Sequence, residues 1–296
     1  MTLYTQADSN IRKTWLILIL FLLFIIGLGW IFSYIYNNSG ILIIAVIFSL
    51  LMNVTSFWYS DKIALAIANA QPIKKEDSPE LYRMVENLCI TAGLPAPKIY
   101  IIPENQPNAF ATGRDKEHAV IAVTQGLLDK LERTELEGVI SHELSHVGNK
   151  DMLLMSIVVV LVGFVSILSD WFLRTLRFGN FRKRDSRGGG QLGVILILAG
   201  MILAILSPLI AMLIQLAISR KREFLADATG SLLTRYPEGL ARALEKIATD
   251  QTPMKVASNA TAHLYIANPF KGKKFSSLFM THPPIEERIK ILREMK

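Results

Sequence analysis

The 296 residues are 51% hydrophobic and carry a net charge of +7. The apolar surplus is gathered in blocks, which points to a membrane protein rather than a larger soluble core. The positive charge lacks the aromatic or groove-reading context of a nucleic-acid binder. A single cysteine, Cys89, excludes a disulfide framework and a cysteine-based metal cluster; beside Leu88 on an apolar helix face it reads as a core residue.

In chain order, two apolar blocks (residues 15–35 and 41–57) are separated by Asn37, Asn38 and Ser39, and read as a helical hairpin. The first block is too long for the apolar region of a signal peptide, and no small-residue cleavage site follows it before the second. It reads as an uncleaved anchor. Arg12 and Lys13 precede the hairpin, Lys62, Lys74 and Lys75 follow it, and its turn is uncharged. The positive-inside rule therefore puts both ends of the hairpin, and the polar region after it, in the cytoplasm. Ser78 and Pro79 open a helix that runs to Ala92 and stops at Gly93. Strands are expected over residues 98–102, 108–113 and 119–123, the last two joined through the polar stretch from Arg114 to His118. A short helix from Gln125 precedes a longer one, started by a capping box of Thr134 and Glu137. Leu136, Val139, Ile140, Leu144 and Val147 form its apolar stripe.

Two further blocks, residues 152–172 and 192–218, bring the favoured number of spans to four. The loop between them carries Arg174, Arg177, Arg182, Lys183, Arg184 and Arg187 against Asp170 and Asp185, which opposes the positive-inside rule if the loop is extracytoplasmic. Helices are expected over residues 221–234 and 237–248, an irregular stretch over 252–281, and a last helix from near Pro283. The chain thus divides into a membrane hairpin (1–60), a polar region (61–151), a second membrane pair (152–219) and a carboxy-terminal polar region (220–296).

His142, Glu143 and His146 lie in the string HELSH. Imidazoles four residues apart share a helix face and can grip one ion, while the intervening glutamate can take a proton from water beside it. This is the zinc-protease pattern. Two histidines are not enough, since a catalytic zinc has three protein ligands and an open position. The metzincin pattern is excluded, because Asn149 and Met152 stand where it needs glycine and histidine. A carboxylate from a second helix is the expected solution. The string RKREFLAD offers Glu223 as ligand and, four residues on, Asp227 to accept the free ring N–H of His142. Alone, Glu223 would read as one half of a surface charge pair; the HELSH helix reverses those odds. Glu80, Glu132 and Glu135 are formal competitors without such a motif.

The strings GVISHELSH, SRKREFLAD and THPPIEERI resemble those of the HtpX-type membrane zinc metalloproteases, relatives of the eukaryotic CAAX prenyl endopeptidases, over nearly the whole chain. The resemblance implies an α-helical integral membrane protein with a mainly α (α+β) gluzincin-type domain and a small β-sheet. It implies one Zn2+ per subunit on His142, His146 and Glu223, with Glu143 as general base and acid. Asn108, Ala109, Phe110 and Ala111 match a strand edging the cleft, where an extended substrate could pair by strand addition; the ordinary reading of Phe110 is a core residue. Asp227 would stand behind the ligands, and His282 and Arg288 would support the oxyanion, although His282 could equally pack before Pro283 and Pro284. The implied role is a stress-response endopeptidase that degrades misfolded or damaged membrane proteins. It would lie in a bacterial or archaeal cell membrane, multi-pass, in contact with the bilayer and with its active site facing the cytoplasm. The alternatives are a CAAX-type processing protease, which the absence of extra spans disfavours, and a non-enzymatic zinc-binding membrane scaffold.

Overall fold

The computed structural model describes residues 3–178, 220–258, 260–270 and 283–295. The fourth apolar block, the basic residues Arg182, Lys183, Arg184 and Arg187, and His282 lie outside the described residues.

Helices α1 (Leu3–Ile35) and α2 (Gly40–Ile67) form the amino-terminal hairpin. Asn37 turns the chain in the left-handed conformation, at φ 47°, which asparagine tolerates better than most residues. The Gly40 N–H donates to the Asn38 side-chain oxygen at 2.9 Å and holds the start of α2. Residues 8–34 and 40–67 are each long and apolar enough to cross a membrane. Their outer faces expose large apolar side chains, among them Leu23, Ile43, Leu51 and Ile44, the last 68% exposed. Such a surface is an aggregation liability in water and an ordinary one in lipid. Trp30, Tyr34 and Tyr36 are exposed at the turn end, and Trp15, Trp58 and Tyr59 at the other. Aromatic rings enriched at both ends of a span mark the two bilayer interfaces.

Strands β1 (Gln71–Pro72), β2 (Lys98–Ile102), β3 (Ala109–Thr112) and β4 (Val120–Thr124) form one sheet in the order β1-β2-β4-β3. β2 and β4 are parallel, and the two outer pairings are antiparallel. Side chains alternate along a strand, and here both faces are covered. Ile99, Ala109, Ala111, Ile121 and Val123 join one core with α3 (Pro79–Ala92), the short α4 (Gln125–Lys130) and the helix that carries HELSH. Ile102, Phe110, Val120 and Ala122 join a second core with α1, α2 and α6 (Asp151–Phe178). The sheet is a partition between these two cores.

One sequence expectation changes here. The capping box of α5 (Arg133–Gly148) is made by Glu132 and Glu135, two residues earlier than Thr134 and Glu137. Glu135 Oε2 accepts the Glu132 N–H at 2.8 Å and also the Lys246 ammonium at 2.8 Å, so a tertiary ion pair selects between two possible boxes. The first part of the third apolar block packs inside the protein. Met152, Leu154, Ile157, Val158, Val159 and Leu161 are all buried inside the protein. α5 and α6 meet at a bend of 86°, which Lys150 makes by adopting φ 56°.

Later in the chain come α7 (Arg220–Thr234), α8 (Pro237–Thr249) and α9 (Ile285–Glu294). The segment from Thr252 to Phe270 has no helix or strand among its described residues and is held by buried polar side chains leading into β3. Glu104 accepts the N–H groups of Lys255 and Val256 at 3.1 and 2.9 Å. Gln106 donates to the carbonyls of Thr252 and Pro269, and Asn108 to that of Ala267. Five backbone groups of this irregular stretch are thereby paired without secondary structure.

Candidate metal centre

The HELSH turn lies in the buried middle of α5, and α7 crosses it closely. Gly230 of α7 permits this, because a Cβ there would sit 2.9 Å from the backbone nitrogen of His142. Gly230→Ala would push apart the two helices that build the site. It is expected to destabilise the fold by about 1–3 kcal/mol through overpacking and to lower metal occupancy, which thermal melting with and without chelator would read.

The two ring Nε2 atoms of His142 and His146 lie 3.2 Å apart. Glu223 brings Oε2 to 3.9 Å from the first and Oε1 to 3.7 Å from the second. One donor atom from each of the three residues falls within 4.8 Å of the others, and all three residues are buried. Behind the rings, His142 Nδ1 is 2.9 Å from Asp227 Oδ1 and His146 Nδ1 is 3.1 Å from Asp151 Oδ2. A neutral imidazole carries one N–H. When each Nδ1–H donates to its carboxylate, both Nε2 atoms turn lone pairs toward the same point. Two lone pairs facing each other at this distance repel unless a cation lies between them.

The charges agree with that reading. Asp227 is bridged by Arg288 through Nε at 2.8 Å and Nη2 at 2.7 Å, and Asp151 lies 3.6 Å from the Arg222 guanidinium. The Arg288 guanidinium also reaches Glu223 at 3.6 Å. Two buried arginines thus face four buried carboxyl groups, Asp151, Asp227, Glu223 and Glu143, an excess of acidic groups that suits a cation. Burial opposes ionisation of Asp227, but Arg288 and His142 overcome it and hold its pKa down to about 2. Burial dominates at Glu143 and pushes its carboxyl up to about 7. Burial also lowers the pKa of His142, against the pull of Asp227, which favours the neutral ring a ligand must be. At His146 burial is outweighed by Asp151, Glu223 and Glu143, which draw a proton toward the ring; a metal cation would take that proton's place.

Glu143 also receives a hydrogen bond from the backbone N–H of Ala111, so the outer edge of β3 runs beside it. The other residues of this strand are engaged elsewhere. Asn108 spends its side chain on Ala267, Ala109 accepts the Ile266 N–H at 2.9 Å, and Phe110 is buried with its ring edge-on to Tyr265, 5.1 Å between centroids. Arg288 is fully buried, and besides Asp227 it donates to the Ile266 carbonyl at 3.2 Å. Sequence reasoning missed Asp151, Arg222 and Gly230. Asp151 stands five residues after His146, a spacing that does not share a face on a straight helix; only the bend returns it to the ring.

A family model described as Peptidase family M48 matches residues 75–296. The chain belongs to this peptidase family. It is 47% identical over 296 residues to the "Protease HtpX homolog" of Caldanaerobacter subterraneus, covering 99% of this chain and 98% of the relative. The protein of the same name from Syntrophobacter fumaroxidans is 50% identical over 270 residues, 90% of this chain and 93% of that one. The one from Pyrococcus furiosus is 48% identical over 273 residues, 92% and 91% of the two chains. Among solved structures, Ste24p of S. mikatae matches with a TM-score of 0.52 at 21% identity, over 95% of this chain and 67% of that one. That likeness is one of fold: mostly helical, with membrane helices and a small mixed sheet. This member of the peptidase family is a membrane metalloprotease of HtpX type that acts on protein substrates, and the buried His-His-Glu cluster is the one group of metal-capable residues found among the described residues.

Proposed function

We propose that the metal is zinc, one per chain, held by His142, His146 and Glu223. The convergence of two imidazole nitrogens and one carboxylate, backed by two further carboxylates, carries this reading, because that donor set suits zinc. Zinc there would supply Lewis-acid polarisation of a carbonyl and acidification of water. The chain's own residues do the rest. Glu143, kept from full ionisation by burial, takes the proton of the attacking water and returns it to the leaving amine. Asp227 and Asp151 hold the ring tautomers of His142 and His146. Arg288 keeps Asp227 charged and in place; it acts as a positioning residue. An extended substrate pairs with the outer edge of β3 beside Ala111, which lays its scissile bond next to Glu143.

The protein is read as a multi-pass enzyme of a bacterial or archaeal cell membrane, with the centre facing the cytoplasm. The basic residues flanking the hairpin support that orientation. Its protease is assembled from two stretches of chain, 61–151 and 220–296, separated by a membrane excursion. Its substrates are misfolded or damaged membrane proteins removed under stress. The test is degradation, in detergent, of an unfolded membrane protein by zinc-loaded enzyme, with and without chelator, beside a farnesylated peptide as competing substrate. Preference for the peptide would favour the processing-protease reading instead. Glu223→Ala is expected to lose bound zinc on dialysis while His142 and His146 remain; metal analysis showing full zinc content would remove Glu223 from the ligand set.

A further inference from the structure

Asn10 of α1 is fully buried, at the protease end of a helix that otherwise reads as a membrane anchor. Its side-chain nitrogen donates to Asp151 Oδ1 at 2.5 Å and to the Asn149 carbonyl at 3.1 Å. Its side-chain oxygen accepts from Arg222 Nη1 at 3.1 Å. Asp151 offers its other oxygen to His146 Nδ1, and Arg222 immediately precedes Glu223. We propose that Asn10 is a positioning residue of the metal centre, setting Asp151 behind His146 and tying the first membrane helix into the ligand geometry. The inference rests on the reading of this cluster as a metal centre.

The chemistry of a carboxamide suits this place. The Asp151 side chain has one oxygen on the His146 ring and the other on Asn10. An aliphatic residue at position 10 would leave that second buried oxygen with only the longer Arg222 contact, 3.6 Å away. The Asn10 amide also caps the Asn149 carbonyl at the bend between α5 and α6 and accepts from α7. One side chain thereby joins the helix of the two histidines, the bend after it and the helix of Glu223. Burying an amide costs free energy unless all its groups are paired, and here each is. A simple tether needs none of this.

The experiment uses the full chain, zinc-loaded and purified in detergent. Asn10→Leu keeps the volume and removes the donor; Asn10→Ala is the second variant, and Leu18→Ala, buried on the same helix, loosens packing away from the network. Zinc affinity is read by chelator competition, alongside kcat and KM on an unfolded protein. Both Asn10 variants are expected to weaken zinc binding about tenfold, the low end for partners behind a ligating histidine, and to lower kcat with KM unchanged. Leu18→Ala is expected to lower the melting temperature with zinc affinity unchanged. Wild-type affinity and kcat in the Asn10 variants, or an equal loss of affinity in Leu18→Ala, would overturn the proposal. A wild-type protein that takes up no zinc would overturn the metal-centre reading itself.

Discussion

Glu143→Gln is expected to lower kcat on an unfolded protein by about 10²- to 10⁴-fold, the range that a positioned general base contributes. Metal content should be unchanged, because Glu143 is not among the three clustered donors. The substitution keeps the shape and the acceptor oxygen for the Ala111 N–H but cannot take a proton. Loss of activity together with loss of metal would mean that Glu143 is holding the ion rather than moving a proton. Full activity with full metal would remove it from the chemistry altogether.

The second large effect is at Arg288. Its guanidinium is fully buried and forms a two-bond fork with Asp227, an arrangement that is specific as well as strong. Arg288→Ala leaves the Asp227 carboxylate buried without its counter-charge, and breaking such a pair costs about 3–5 kcal/mol. The expected outcome is little folded protein, seen as rapid proteolysis of the purified chain. Joint replacement by Asp227→Asn and Arg288→Met removes both charges and is expected to recover folding but not activity, since His142 then loses the carboxylate that fixes its tautomer. Acid tests the same pair. The folded pKa of Asp227 is depressed to about 2, against about 3.9 for an ordinary aspartate. Its stabilising contribution is therefore complete above about pH 4 and lost as the pH falls toward 2. Wild-type stability that is flat with pH across that window, by melting temperature, would contradict the pairing.

Much of this was legible in the residues. The strand at Lys98–Ile102 has the bounds its sequence suggests, and the helix at Pro79–Ala92 stops at Gly93 in the left-handed conformation. His142 and His146 share a face because four residues make about one helical turn. What was not legible depends on tertiary position. Thr134/Glu137 and Glu132/Glu135 both fit a capping pattern, and only Lys246, more than a hundred residues away, distinguishes them. Hydropathy does not tell lipid from protein interior, so the burial of Met152, Leu154, Ile157 and Leu161 inside the fold could not be read from their apolar run. Asp151 enters the site through a bend that no local periodicity announces. The burial of Phe110 follows its ordinary reading, whereas the bond from Asn108 to the Ala267 carbonyl joins residues 159 positions apart and has no local signal.

The polar network at Asn10 also sets a length scale. Trp15, exposed at the interface end of the same helix, lies five residues further on, about 7.5 Å along the axis at 1.5 Å per residue. An extended chain covers that height in two or three residues. On the proposed reading the metal centre therefore stands within about two or three extended residues of the bilayer surface. A substrate anchored in that bilayer would be cut at a short juxtamembrane stub.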